Sequence, residues 1–215
     1  MSGYQGSSAF EDRHGPEPAG LLDLHFVVRL LTDPKGGNQE VIGYLTYKDG
    51  IEESLFSGPP SEKTAYFPLR IEGLTATVIG NTGNVMVQLR PPGQKLNIYY
   101  QEQPHNDWDH PEGFSRGQLV ASYYEQVAQL VNMGPTAEST ATFNLVGGSP
   151  FRFKGREYDF RRDTPNGVTA VSYFSTKPLT TGIQKFPEAF CGAGVGYTIA
   201  APSAGRGGRD PRLED

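Results

Sequence analysis

An all-β fold of many short strands, a barrel or a sandwich, is predicted by three features of the sequence. Short apolar or alternating runs recur along the chain, many of them rich in β-branched and aromatic residues. Clusters of Gly, Pro, Asn, Asp and Ser separate them and reverse the chain. The composition, with 27 Gly, 17 Pro, 11 Tyr and 12 Phe, supplies turn formers and strand aromatics, and few windows show apolar residues at helical spacing.

Residues 1–20 are polar and without periodicity, so they are expected to form a flexible arm; the alternative is an arm folded over a barrel mouth through the apolar anchors Tyr4 and Phe10. The runs LLDLHFVVRLLT, EVIGYLTYKDG, KTAYFPLRIEG, LTATVIGN, NVMVQLR and KLNIYYQE follow as strands. Between Gly117 and Met133, Val120, Tyr123, Tyr124, Val127 and Val131 favour a bent strand over a helix, and Gly134-Pro135 ends it. ESTATFNLVG, SPFRFKGREYDF and GVTAVSYFST continue the series. After Thr176 the chain mixes turns with one short last strand, Val195 to Ala200, and is expected to plug or flank the barrel. Eight or more strands at this spacing indicate a barrel or sandwich. The expected organisation is one barrel domain over 21–200 and a disordered tail over 201–215.

Charge is nearly balanced, 19 Lys plus Arg against 24 Asp plus Glu, which lacks the basic excess that a nucleic-acid partner requires. Cys191 is the sole cysteine, so no intrachain disulfide forms and the thiol is expected to be buried or half-buried. The first residues carry no basic stretch leading to an apolar run, and no segment is apolar enough to span a bilayer as a helix. A cytoplasmic protein without membrane insertion is expected.

His105, Asp107, Asp109 and His110 are zinc- and iron-ligand types, but they share one Pro-flanked loop with Trp108 instead of being braced on strands or helices. The loop is therefore expected to be a hydrophobic lid, hinged near Gly113 with Trp108 as its plug, and to hold no metal. No Gly-x-Ser-x-Gly elbow is present, and Gly147-Gly148-Ser149 runs into Pro150 without the helix start or lysine of a phosphate loop. Period-2 alternation groups Ile98, Tyr100 and Glu102 on one strand face. If that face points inward, Glu102 becomes an acid or base with a desolvation-raised pKa; otherwise it sits on a solvated rim. On the long strand the same parity sets Gln118, Val120, Ser122, Tyr124 and Gln126 against Leu119, Ala121, Tyr123, Glu125 and Val127. Neither set is purely apolar, as suits a barrel with a partly polar lumen.

GFSRGQLVAS, then STATFNLVGGSPFRFKGREYDF with Gly147-Gly148-Ser149, Phe151, Phe153 and Gly155, and then GVTAVSYF carry a pattern that resembles the barrel superfamily of plant allene oxide cyclases and dirigent proteins. Tyr99-Tyr100-Gln101-Glu102 looks like a strand of the related small bacterial barrels that catalyse Diels-Alder closure in spirotetronate assembly. The resemblance spans roughly residues 41–175, and the PHNDWDHPEG insertion and C-terminal segment depart from it. It implies an all-β fold, a single antiparallel eight-stranded β-barrel, working as a cofactor-independent cyclase that folds an apolar polyunsaturated substrate inside the lumen and steers a pericyclic ring closure; dimers and trimers both occur among such barrels, and the oligomeric state stays open. Tyr100 would orient the substrate and Glu102 or Gln118 would polarise a carbonyl. Tyr44, Ile98, Trp108, Ser122, Tyr124, Phe151 and Phe153 would bind it. The alternative from the residues is a carrier that sequesters a lipid or pigment unchanged.

Overall fold

The structure, a computed structural model, describes residues 18–35, 37–75, 77–82 and 85–200. The two terminal segments expected to be flexible lie outside these residues, apart from 18–20. The strands are β1 (Leu22–Thr32), β2 (Gln39–Lys48), β3 (Pro68–Leu74), β4 (Thr77–Thr82), β5 (Val85–Arg90), β6 (Lys95–Tyr100), β7 (Gln118–Met133), β8 (Thr136–Gly147), β9 (Phe151–Phe153), β10 (Arg156–Tyr158), β11 (Val168–Ser175), β12 (Leu179–Thr180) and β13 (Glu188–Thr198). A single-turn helix, α1 (Phe160–Asp163), follows β10.

Eight strands close into an antiparallel barrel in the order β7-β6-β3-β2-β1-β13-β11-β8, with β8 returning to β7. Alternation drives the closure: Leu24, Phe26, Val28 and Leu30 are buried along β1 while the intervening His25, Val27 and Arg29 remain partly exposed. The 117–133 run is a bent strand as expected, β7, with a bulge between Glu125 and Val127. Its length lets one edge take two partners, because β6 pairs with its first half and β5 with its second. The β4–β5 hairpin therefore stands on β7 as a two-stranded extension outside the closed circuit.

The expected short strand at Val195–Ala200 is corrected: β13 spans Glu188–Thr198 and is a full barrel strand between β1 and β11. The SPFRFKGREYDF run forms the separate β9–β10 hairpin instead of a wall strand. Its tip, Lys154-Gly155, has φ of 48° and 89°, the left-handed pair that a tight hairpin demands. This hairpin and α1 plug one barrel end. There Phe67, Phe151, Phe153 and Phe160 are buried, with ring centroids 5.1–5.9 Å apart in edge-on and tilted contacts.

A second, smaller apolar cluster covers the outside of β1 and β2. Leu31 and Ile42 face outward there and pack with Phe114, Phe186 and Ala189. Cys191 also lies on the outer face of β13 and is exposed, against the expectation of a buried or half-buried thiol.

Candidate functional site in the barrel lumen

The inward side chains leave an internal cavity of about 50 Å³. Its wall is apolar, with Phe26 and Val28 from β1, Ile71 from β3, Ile98 from β6 and Phe174 from β11, except for Arg90, Ser139 and Ser172. Ser139 and Ser172 are opposite each other in the β8–β11 register, so two hydroxyls share one level of the lumen. This setting, apolar with a few convergent polar groups, is that of a small-molecule site.

Arg90 is the last residue of β5, where the hairpin extension joins the wall, and it pairs with the inward-facing Ala128. Its side chain is 10% exposed. Nη2 donates to Ser139 Oγ at 3.2 Å, and Nε has no partner. Behind it Glu125, on the inward face of β7, is fully buried with Oε2 3.7 Å from Arg90 Nη2, and neither carboxylate oxygen accepts a hydrogen bond. Burial pushes the Glu125 pKa above its ordinary value despite the opposing pull of Arg90. Burial likewise lowers that of Arg90, against the charge of Glu125. A guanidinium with unused hydrogen-bonding capacity lines the apolar cavity as a hydrogen-bond anchor, and a buried titratable carboxyl group stands behind it.

A second buried polar cluster lies at the plugged end. Lys48 Nζ is 2.5 Å from Asp23 Oδ1 and 3.4 Å from Asp163 Oδ2, and donates to the Asp49 carbonyl at 3.0 Å. Tyr123 and Thr164 share a hydroxyl hydrogen bond at 2.9 Å. Burial raises the pKa of Tyr123, Asp23 and Asp163. Asp163 belongs to α1 and Lys48 to β2, so this cluster ties the plug to the wall.

The sequence-predicted residues fall in three places. Ile98 lines the lumen as expected. Tyr100, Phe151 and Phe153 belong to the aromatic plug, with the Tyr100 ring in tilted contact with Phe151 at 5.4 Å and with Phe67 at 5.6 Å. Glu102 lies beyond the end of β6 and is exposed, which is the solvated-rim placement of the two expected and not the inward one. Tyr100, Glu102 and Gln118 do meet, but in an open surface groove with His105. Gln118 is exposed and donates to Ser149 Oγ and the Pro150 carbonyl, so it braces the turn after β8.

Tyr44, Ser122 and Tyr124 alternate with inward residues and face outward; Ser122 donates to Asn97 on the same outer face. Trp108 is also corrected. It packs on the outside wall against Tyr44, Phe114 and the Arg29 guanidinium, at 5.8, 5.1 and 4.5 Å, and not over a mouth. The hinge position Gly113 is buried in a 3-10 turn, and Gln101 fixes that loop by donating to Asn106 Oδ1 and the Gly113 carbonyl. In the same loop His105 Nδ1 contacts the Gln103 carbonyl and Asp107 pairs with Lys63.

Arg90, Glu125 and Ser139 were not singled out from the sequence. The signal for Glu125 was present in the parity of the long strand, which set it beside Ala121 and Tyr123, both buried. For Arg90 none was available, because the turn chemistry of Pro91-Pro92-Gly93 marks it as a strand end and not as a lumen residue. None of the family models, curated proteins or solved structures compared with the chain matches it.

Proposed function

We propose that the protein is a small-molecule barrel: its lumen takes up a small, predominantly apolar molecule and holds the polar end of that molecule at Arg90 and Ser139. The observation that carries this reading is the apolar barrel cavity that Arg90 lines with its Nε unpartnered. A buried donor without a partner costs about 1–3 kcal/mol, a deficit that a ligand acceptor would recover.

A volume of about 50 Å³ matches a molecule of a few heavy atoms. A larger guest enters only as side chains such as Phe26, Leu24 or Phe174 give way.

A second reading, cofactor-independent ring closure, is favoured by Glu125 in particular. A buried carboxyl with a raised pKa beside a guanidinium is suited to moving a proton while the wall confines a reactive conformer. In this reading Glu125 and Arg90 take the roles assigned by resemblance to Glu102 and Tyr100.

Binding is tested by native mass spectrometry of the purified protein, with thermal-shift titration of short apolar acids, amides and hydrocarbons. The expected result is saturable stabilisation that disappears in Ala141→Leu, a substitution that fills the cavity. Equal stabilisation of the filled variant would contradict a lumen site. Carrier and enzyme separate on the fate of a bound guest, released unchanged in one case and as a cyclised isomer in the other.

A further inference from the structure

From the arrangement of Arg90, Glu125, Ser139 and the apolar wall, and resting on the lumen-binding reading, we infer that the guest is a carboxylic acid, bound through its carboxylate to Arg90, and that its entry takes one proton from solvent.

The donor geometry comes first. A guanidinium offers a planar fork, and a carboxylate matches that fork with two parallel hydrogen bonds where a ketone or alcohol uses one. In the structure Arg90 Nη2 spends one hydrogen bond on Ser139 and Nε spends none. Glu125 does not fill the fork, since its nearest oxygen is 3.7 Å away and unbonded. The guanidinium thus has its charge partly offset by Glu125 while its donors remain available.

Charge bookkeeping then sets the proton. Arg90 carries one positive charge; Glu125 and the guest would bring two negative charges into a wall of leucine, isoleucine, valine and phenylalanine. Two carboxylates that share one site do not both ionise, because their repulsion is unscreened at low dielectric. Glu125, the carboxylate of the Arg90 ion pair in the guest-free protein, therefore takes one proton from solvent as the anionic guest replaces it as the counter-charge of Arg90, and the complex is neutral overall. Among the described residues the charged group acting on Glu125 is Arg90. Phe143 lies opposite Glu125 on β8, and the facing strands β1, β2, β3 and β11 present apolar side chains and Ser172 to the cavity. The other ionisable groups inside the barrel, Tyr123 and the Lys48–Asp23 pair, are engaged at the plugged end.

The test is isothermal titration of the full chain with isobutyrate and with its neutral isostere isobutyramide, in buffers of different ionisation enthalpy between pH 6 and 9. The acid is expected to bind roughly tenfold or more tightly than the amide, the difference that a charge-assisted pair makes. About one proton should be taken up per acid bound, so affinity should weaken by about tenfold per pH unit through the alkaline range. In Glu125→Gln the uptake should vanish and the affinity become independent of pH. Equal binding of acid and amide, or acid binding without proton uptake, would overturn the inference and leave the lumen reading intact. Binding of neither, with no stabilisation by any apolar probe, would sink the lumen reading itself.

Discussion

Lys48 and Glu125 are both fully buried charges, yet their surroundings give them different consequences. Lys48 is held by Asp23, Asp163 and a carbonyl, so removing its charge strands a buried carboxylate. Lys48→Met is expected to lower stability by about 3–5 kcal/mol in urea denaturation, the cost of breaking a buried pair. A loss below about 1 kcal/mol would mean that Asp23 is protonated in the fold. Glu125 has no hydrogen bond, and its pKa is raised above that of the unfolded chain. The folded state therefore holds its proton more tightly, and the contribution of Glu125 to stability is full below the ordinary carboxylate range. That contribution is lost as pH rises through the raised folded value. Glu125→Gln cannot ionise, so its stability relative to wild type should grow as pH rises through that window and then level off. A difference constant with pH would contradict the burial-driven shift. Other raised carboxyls, Asp23 and Asp163, contribute the same sign in both proteins and cancel in the comparison.

Among the elements, β13 shows most clearly what the sequence conceals. Gly192, Gly194 and Gly196 alternate with outward residues and face the lumen, where a Cβ would meet Phe174 at 2.5 Å, Phe26 at 2.6 Å and Leu24 at 2.8 Å respectively. These large side chains lie directly on the bare backbone of β13, and the glycines supply room for them. Read one residue at a time, Gly-Ala-Gly-Val-Gly looks like turn chemistry, and the alternation acquires meaning only beside the partners on β1 and β11. Gly194→Ala should destabilise by about 1–3 kcal/mol, since its Cβ would also fall 2.4 Å from the Val171 carbonyl oxygen, which cannot move aside. Gly196→Ala meets only the Leu24 side chain and should cost clearly less by thermal denaturation. Equal cost at both positions would contradict this account. The same limit explains the other misplacements. Period-2 parity correctly paired Ala121, Tyr123 and Glu125, but it could not show that β6 ends at Tyr100, which leaves Glu102 in solvent. Nor could it show whether the Trp108 loop folds over the barrel end or down its side, because both placements bury the indole.

At the scale of the whole molecule the barrel has a sealed end and an apolar interior with a few polar groups, and the two are separable in energy. The aromatic plug rests on Phe67, which contacts Tyr100, Phe151, Phe153 and Phe160. Phe67→Ala should cost about 3–5 kcal/mol and lower the melting temperature. Tyr100→Phe and Glu102→Gln, on the plug rim and in solvent, should leave guest binding unchanged. The all-β class was legible from alternation and turn spacing, because each strand carries its own buried face, but those signals left barrel and sandwich open, and the closed eight-strand barrel was expected from the resemblance alone. The site was less legible because a lumen is made by residues from many strands whose proximity depends on closure. Within the described residues no helix is long and apolar enough to cross a membrane. The central claim is that the lumen, and not the outer groove, receives the guest. Its most direct test is an NMR measurement of nuclear Overhauser contacts between the methyl groups of bound isobutyrate and assigned methyls of the protein. Contacts to Val28, Ile71 and Ile98 are the result this account predicts. Contacts confined to the open groove around Tyr100, Glu102 and Gln118 would contradict it.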